Sequence, residues 1–309
     1  MKRLGKGNFV AVEILGSLNL DVSFSCEALP RLGETVLCSS VVSGPGGKGL
    51  NQAVAARRAG ADVKLAGAVG ADPNGATLLS FLQSEGIDTD GIAELADAAT
   101  GLAHIVVDRS GENSIVVASG ANIQASSPPL ELARNAAPHV YLSQLEIDIG
   151  AVGAFLDEGH RAGGTTILNA APAVPAASGI LTFADILIVN EHELSQFSET
   201  PCSAEDAESI TDAARKIIQR IDQTIVVTLG AAGTQIVDMT SSLRLPAHSV
   251  IVVDTTGAGD CFCGVLAASI AAGLPIIDAV RCANKAASLA VQRKGAANAM
   301  PRKAEIEAV

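Results

Sequence analysis

Short apolar runs recur along the chain and stop at turn residues. Residues 10–15 end at Gly16, and similar runs cover 63–68, 104–107, 114–117, 139–142, 166–168, 186–189, 224–229 and 234–237. Runs this short, bounded by turn signals, predict buried strands. Between many of them lie stretches of helical periodicity: 50–59, 76–85, 151–162, 204–220 and 261–272. Strand alternating with helix predicts an α/β fold with a doubly wound, mostly parallel sheet flanked by helices. Two regions break the alternation, 24–42 and 101–117, the second with an Asp108-Arg109-Ser110-Gly111 turn. Both predict hairpin strands with no intervening helix, and hence a small β-sheet of two insertions, about 22–43 and 101–118, projecting from one domain over 1–309. The competing reading makes them edge strands of the main sheet. No internal repeat or heptad appears, and the turn cluster Ser126–Pro129 is too short to divide domains.

Composition narrows the picture. Hydrophobic residues make up 48% of the chain but aromatics only 3%, with no Trp, so the core is one of Ala, Val, Ile and Leu, suited to helices on a parallel sheet. A net charge of −12 argues against nucleic acid as a partner, because phosphate backbone calls for a clustered positive face. The uncharged stretches 163–184 and 261–277 are broken by Pro172, Pro175, Gly264, Gly273 and Pro275 and read as buried segments, not membrane spans. Residues 1–8 are basic, but no long apolar run with a small-residue cleavage site follows, and the expected compartment is the cytoplasm. The six cysteines form no C-x-x-C pair and are expected as small, reduced core residues. The five histidines show no metal spacing, and His192 is expected to face solvent.

Two glycine-rich clusters carry the candidate chemistry. Ser43-Gly44-Pro45-Gly46-Gly47-Lys48-Gly49-Leu50-Asn51-Gln52 precedes an Ala-rich helix, where glycine lets backbone approach a ligand and a helix start offers free N–H groups. A polar ligand is expected there, with packing alone as the competing reading. Gly44-x-Gly46-x-x-Gly49 also satisfies the dinucleotide fingerprint, which keeps an NAD(P)-linked oxidoreductase in view, although that fingerprint normally follows the first strand. Neither Gly-Lys pair is followed by Ser or Thr, so Walker A is excluded. The second cluster, Asp254-Thr255-Thr256-Gly257-Ala258-Gly259-Asp260, opens an apolar helix. Its amides predict a cradle for developing phosphate charge, with Asp260 beside it as a base for an attacking hydroxyl. The competing reading has Asp260 only capping the helix.

Gly46-Gly47-Lys48-Gly49-x-Asn51-Gln52-Ala53 and Asp254-Thr255-x-Gly257-Ala258-Gly259-Asp260 resemble the two signatures of the ribokinase-like sugar kinases. The likeness runs through Gly16-Ser17-Leu18-Asn19-Leu20-Asp21, Gly33-Glu34-Thr35, Gly111-Glu112-Asn113, Gln144-Leu145-Glu146, Asn190-Glu191-x-Glu193 and Arg293-Lys294-Gly295-Ala296. The resemblance implies that Asn19, Asp21, Gly47, Lys48, Asn51 and Glu146 hold sugar hydroxyls and that Asp260 takes the proton of the reacting one. It implies an anion hole of Gly257, Ala258 and Gly259, and a role for Asn190 and Glu193 in organising Mg²⁺ and the nucleotide phosphates. ATP would lie along Thr228, Gly230, Gly233 and Gly259, with Asn284 near the adenine. A K⁺ or other monovalent-cation site would use Asp254, Thr256, Ala290, Arg293, Gly295 and Ala299, largely through carbonyls. The small sheet would be the family's lid, closing on the sugar and forming a homodimer. Three positions depart from the family pattern: Val189 stands before Asn190 in place of Pro, Ala299 in place of Ser, and Leu50 in place of a small residue.

The expected activity is ATP-dependent phosphorylation of a free sugar, ribose at its 5-hydroxyl. Another pentose, deoxyribose or a nucleoside is the alternative within the class. Outside it stand the oxidoreductase, which leaves Asp260 idle, and a non-catalytic sugar binder, which has no need of Asp260, Asn190 and Glu193 together.

Overall fold

A computed structural model describes residues 11–110, 112–126 and 139–308; the expectations placed on 1–8, Val10, Gly111 and 127–129 lie outside them. The chain runs β1 (Ala11–Leu15), β2 (Asn19–Cys26), β3 (Cys38–Gly46), α1 (Lys48–Arg58), β4 (Asp62–Gly70), α2 (Pro73–Ser84) and β5 (Asp88–Leu95). It continues with β6 (Gly101–Val107), β7 (Asn113–Ala118), β8 (Val140–Gln144), α3 (Ile149–Arg161), β9 (Thr165–Asn169), β10 (Ile186–Asn190), α4 (Glu191–Ser198) and α5 (Ala207–Ile217). It closes with β11 (Thr224–Thr228), β12 (Thr234–Val237), β13 (Ser242–Leu245), α6 (Ala258–Ala271), α7 (Ile276–Ala290) and α8 (Lys303–Ala308).

The main sheet has the order β13-β12-β11-β10-β9-β8-β1-β4-β5, and only β12 runs against the others, pairing antiparallel with β11 on one side and β13 on the other. Its continuous apolar runs are explained by burial on both faces. Along β10, Ile186 and Ile188 enter one core while Leu187 and Val189 enter the other; along β11, Val226 faces the first and Ile225 and Val227 the second. The first core is closed by α1, α6 and α7 and the second by α3, α4 and α5. With so few aromatics the helices approach closely. A Cβ on Gly264 of α6 would stand 2.3 Å from the Gln52 carbonyl oxygen of α1, so these two helices meet backbone to backbone.

The two irregular regions form a separate four-stranded sheet, β3-β2-β6-β7, rather than edge strands of the main one. Strand β2 pairs antiparallel with β3 and parallel with β6, and β6 pairs antiparallel with β7. Pairing starts at Asn19↔Gly46, so the small sheet roots deeper in the molecule than residue 22. Its hairpin end corrects the expectation that all cysteines are core residues: Cys26 and Cys38 face each other across β2 and β3 with Sγ atoms 2.6 Å apart, and Cys38 is exposed. Among the described residues no helix is long and apolar enough to cross a membrane.

Candidate active site

The main sheet reverses its winding between β1 and β8: from β1 the chain builds outward through β4 and β5, then returns to β8 on the other side. Ligands of open α/β sheets bind outside the carboxyl ends of the strands at such a reversal. Here the Ser17 hydroxyl, just past β1, donates to Glu146 Oε2, just past β8, at 2.6 Å. Asn169, Asn190 and Thr228 sit at the carboxyl ends of the next three strands. Asn19, at the root of β2, is buried, and its Oδ1 accepts from Asn122 Nδ2 at 2.8 Å; sequence gave no signal for Asn122.

The glycine cluster before α1 is closed by the protein itself. Lys48 N donates to Glu146 Oε2 at 3.2 Å, Gly49 N to Ser17 Oγ at 3.4 Å and Leu50 N to the Ser17 carbonyl at 3.0 Å. Three of the amides expected to be free at this helix start, those of Lys48, Gly49 and Leu50, are therefore taken. The glycines answer to packing: a Cβ on Gly46 would stand 2.0 Å from Asp21 Oδ2, one on Gly47 2.8 Å from Asn19 N, and one on Gly49 2.5 Å from the Gly16 carbonyl carbon. The cluster runs from the end of β3 of the small sheet, not from the first strand of the main one, and a pyrophosphate would find the amides of Lys48, Gly49 and Leu50 already occupied. The dinucleotide reading fails for that reason.

The start of α6 is open. Gly257, with φ +73°, turns the chain into the helix, and the amides of Gly257, Gly259 and Asp260 have no hydrogen-bond partner among the described residues. A Cβ on Gly259 would meet nothing within 4 Å. One member of the expected anion hole needs correction: the Ala258 amide donates to the Thr255 carbonyl at 3.1 Å and is not free. Asp260 lies on the same turn and is buried, with Oδ2 accepting from Asn51 Nδ2 at 2.9 Å and Oδ1 from Gln52 Nε2 at 3.0 Å. Its side chain therefore bridges α6 to α1 and makes no N-terminal cap, so the capping reading fails.

Four carboxylates and one ammonium share this crevice. Burial pushes Asp260 above the ordinary carboxylate range, opposed by Lys48, Asn51 and Gln52. Burial, with Glu146 and Asp260 nearby, pushes Asp21 up to about 7. Burial pulls the Lys48 ammonium down, but Asp260, Glu146 and Glu193 outweigh it and hold the group charged. Burial raises Glu193 too, against the Asn190 amide and Lys48. Lys48 Nζ lies 3.9 Å from Glu146 Oε1.

The Asn190-x-x-Glu193 motif forms a capping box on α4, with Glu193 N to Asn190 Oδ1 and Asn190 N to Glu193 Oε2 both 2.8 Å. That spacing spells a helix start in any sequence, a signal the chemical reading passed over. His192 is exposed and pairs with Gln196, as expected of a solvent-facing residue. Gly230 and Gly233 bound a short 3₁₀ turn after β11, and Asn284 Oδ1 accepts from Thr234 at 2.6 Å. Asp254 clasps two loops, accepting from Thr256 N and Gly295 N, each at 2.9 Å. Burial raises its carboxyl, yet the bonds from Thr256 and Gly295, with Lys294 nearby, carry it below the ordinary range. Ala290 and Arg293 lie beside this clasp, joined by an Arg293 N to Ala290 carbonyl bond of 3.0 Å, and the Arg293 guanidinium pairs with Glu305. Ala299 closes the turn after Gly295.

Open amides at a helix start, a buried carboxylate on the same turn and a polar crevice beside them define an enzyme that carries a phosphoryl group to a hydroxyl. The chain belongs to the pfkB family of carbohydrate kinases, whose pattern matches residues 11–303. It is 37% identical over 300 residues to the ribokinase of Bacillus subtilis, covering 95% of this chain and 97% of that one. It is 33% identical over 308 residues to the ribokinase of Schizosaccharomyces pombe, with 96% and 97% covered. In three dimensions it is similar to Arabidopsis thaliana ribokinase complexed with ribose and ATP, at TM-score 0.85 and 30% identity, with 96% of this chain and 97% of that one covered.

Proposed function

We propose that this chain transfers the terminal phosphoryl group of ATP to the 5-hydroxyl of D-ribose, giving ribose 5-phosphate and ADP. One observation carries the proposal: of two glycine-rich helix starts at the same crevice, that of α1 is filled by its own protein and that of α6 is open beside a buried carboxylate. Asp260 accepts the proton of the attacking hydroxyl, and the amides of Gly257 and Gly259 offset charge on the transferring phosphoryl group. Asp21, Asn19, Asn51, Lys48 and Glu146 bind and orient the sugar. The buried Asn51 Oδ1 has no partner among the described residues and is an acceptor that a sugar hydroxyl would satisfy. Within residues 22–43 and 101–118 the aromatic rings are Phe24 and His104, which pack edge-to-face at 5.6 Å, and this leaves little platform for a nucleobase.

ATP fits along Thr228, Gly230, Gly233 and Asn284, between β11 and α7. Asn190 and Glu193 would organise Mg²⁺, which supplies charge neutralisation to the phosphates when bound; the burial of Glu193 beside Lys48 and Asp260 fits that duty. The loops clasped by Asp254 would hold K⁺ through Thr256, Ala290, Arg293, Gly295 and Ala299, and the ionised Asp254 carboxylate fits a cation. The small sheet serves as a lid. Its exposed Val42, Ile115 and Val117 share one face of the sheet by register, an apolar face that a second copy would cover in a homodimer. The cytoplasm supplies ATP and keeps the thiols reduced.

A coupled ADP-release assay across pentoses, hexoses and nucleosides tests the reading. Ribose gives the highest kcat/KM. A nucleoside or fructose ahead of it by more than about tenfold, roughly 1.4 kcal/mol in transition-state binding, overturns the substrate.

A further inference from the structure

Gln52 is fully buried, and the roles argued so far leave it unused. Its Nε2 donates to Asp260 Oδ1 at 3.0 Å and to Asn169 Oδ1 at 3.1 Å, while its Oε1 accepts from Gln144 Nε2 at 2.7 Å. The direction of this chain is forced from one end. An ionised carboxylate can only accept, so Gln52 turns its NH₂ to Asp260, its carbonyl is left facing Gln144, and Gln144 answers with its own NH₂. The far end goes unsatisfied: Gln144 Oε1 is buried without a partner among the described residues. A reversed chain would place the Gln52 carbonyl against the carboxylate, so the arrangement tolerates one orphaned acceptor to keep donors on Asp260.

We propose that Gln52 is a positioning residue for the phosphoryl transfer, aiming and holding the ionised Asp260 carboxylate, and that Gln144 acts through it by fixing the direction of its amide. The inference rests on Asp260 as the base. Packing explains why the duty falls here: Gly264 lets α6 approach α1 closely enough for the Gln52 side chain to span the gap, and Asn169 at the end of β9 takes its second hydrogen. The carboxylate is then met by neutral donors from α1, with Lys48 as the nearby cation and Asp21, Glu146 and Glu193 opposing from β2, the turn after β8 and α4. Cys261 and Cys263 flank it on α6, their thiols raised by burial and neutral. Loss of the Gln52 donor leaves one carboxylate oxygen unbonded and free to rotate away from the substrate hydroxyl.

The test measures kcat, both KM values, the acidic limb of the kcat–pH profile and the melting temperature in wild type, Gln52→Leu, Gln144→Leu and the double variant. Gln52→Leu lowers kcat by about ten- to a hundredfold and leaves the ATP KM within a few fold. Its acidic limb moves up by about one pH unit, because a donor to the charged form is gone. Gln144→Leu shifts the limb in the same direction by less, and the double variant matches Gln52→Leu, since Gln144 works only through Gln52. Gln52→Glu restores neither limb nor turnover, because it sets a second carboxyl against Asp260. An unmoved limb with a lowered melting temperature makes Gln52 a packing residue and overturns the inference, as does additive loss in the double variant. Asp260→Asn assayed alongside separates the two ideas: full turnover in that variant removes the base itself, whereas its loss with a normal limb in Gln52→Leu removes only the positioning role.

Discussion

Asn51, the fourth residue of α1, donates through Nδ2 to Asp260 Oδ2 in the first turn of α6 at 2.9 Å, across 209 positions of sequence. The bond joins the two glycine-rich motifs at their chemical ends. In the proposed reaction it would also divide their labour: the α1 motif would supply side chains that hold the base, and the α6 motif open backbone for the phosphate.

Asp260→Asn tests that division most directly. Asn has the size of Asp but cannot take the hydroxyl proton, so kcat falls about 10²- to 10⁴-fold while both KM values stay within a few fold. The fold survives, because burial of a neutral amide replaces burial of a charge. Near-normal turnover on a preparation of normal melting temperature would falsify the assignment of the base.

Asp21 makes the empty enzyme pH-sensitive. Its folded-state value of about 7 lies above the ordinary 3.8, so the folded chain binds more protons between those limits. Stability from this group is full below about pH 3.8 and is lost as the pH rises through about 7. Without sugar, the melting temperature of wild type therefore falls from pH 5 to 8 relative to Asp21→Asn. The ionised form is the better acceptor for hydroxyls, so kcat/KM for the sugar rises over the same window. Asp21→Ala loses sugar use far more than ATP use. Superimposable pH profiles for wild type and Asp21→Asn would show that Asp21 does not titrate there.

The closed α1 motif makes a stability prediction with its own control. Gly49→Ala puts a methyl 2.5 Å from the Gly16 carbonyl carbon and destabilises by about 1–3 kcal/mol. Gly44→Ala, with nothing within 4 Å, stays within about 0.5 kcal/mol of wild type. Urea titration of the two variants reads the difference, and equal midpoints would contradict the packing role of Gly49.

Asp254 links the cation proposal to the anion hole. K⁺ raises the rate over a buffer holding only a bulky organic cation, and Asp254→Ala, which releases Thr256 and Gly295, abolishes that activation. Equal rates in the two buffers for the wild-type enzyme remove the cation from the mechanism.

Local pattern carried much of the architecture. The apolar runs at 186–189 and 224–229 are strands because both faces of a parallel sheet are covered, and that shows in composition alone. Strand β5, with Asp88, Asp90 and Glu94 on a half-exposed edge, lacked such a run and went unseen. The two glycine motifs were equally legible, each before a helix, and nothing local told them apart. Which one opens to a ligand depends on whether its amides find partners. Those partners are Ser17 at the end of β1 and Glu146 beyond β8, brought together only when the two strands pair. Gln52 was visible as a letter in a motif, but its aim is set by Asp260, Asn169 and Gln144 from three other elements. Periodicity is a property of neighbours in the chain, so sequence determined the elements and the residue types at the crevice. Hydrogen-bond satisfaction is a property of neighbours in space, and only the folded structure decided which polar groups were left free to act.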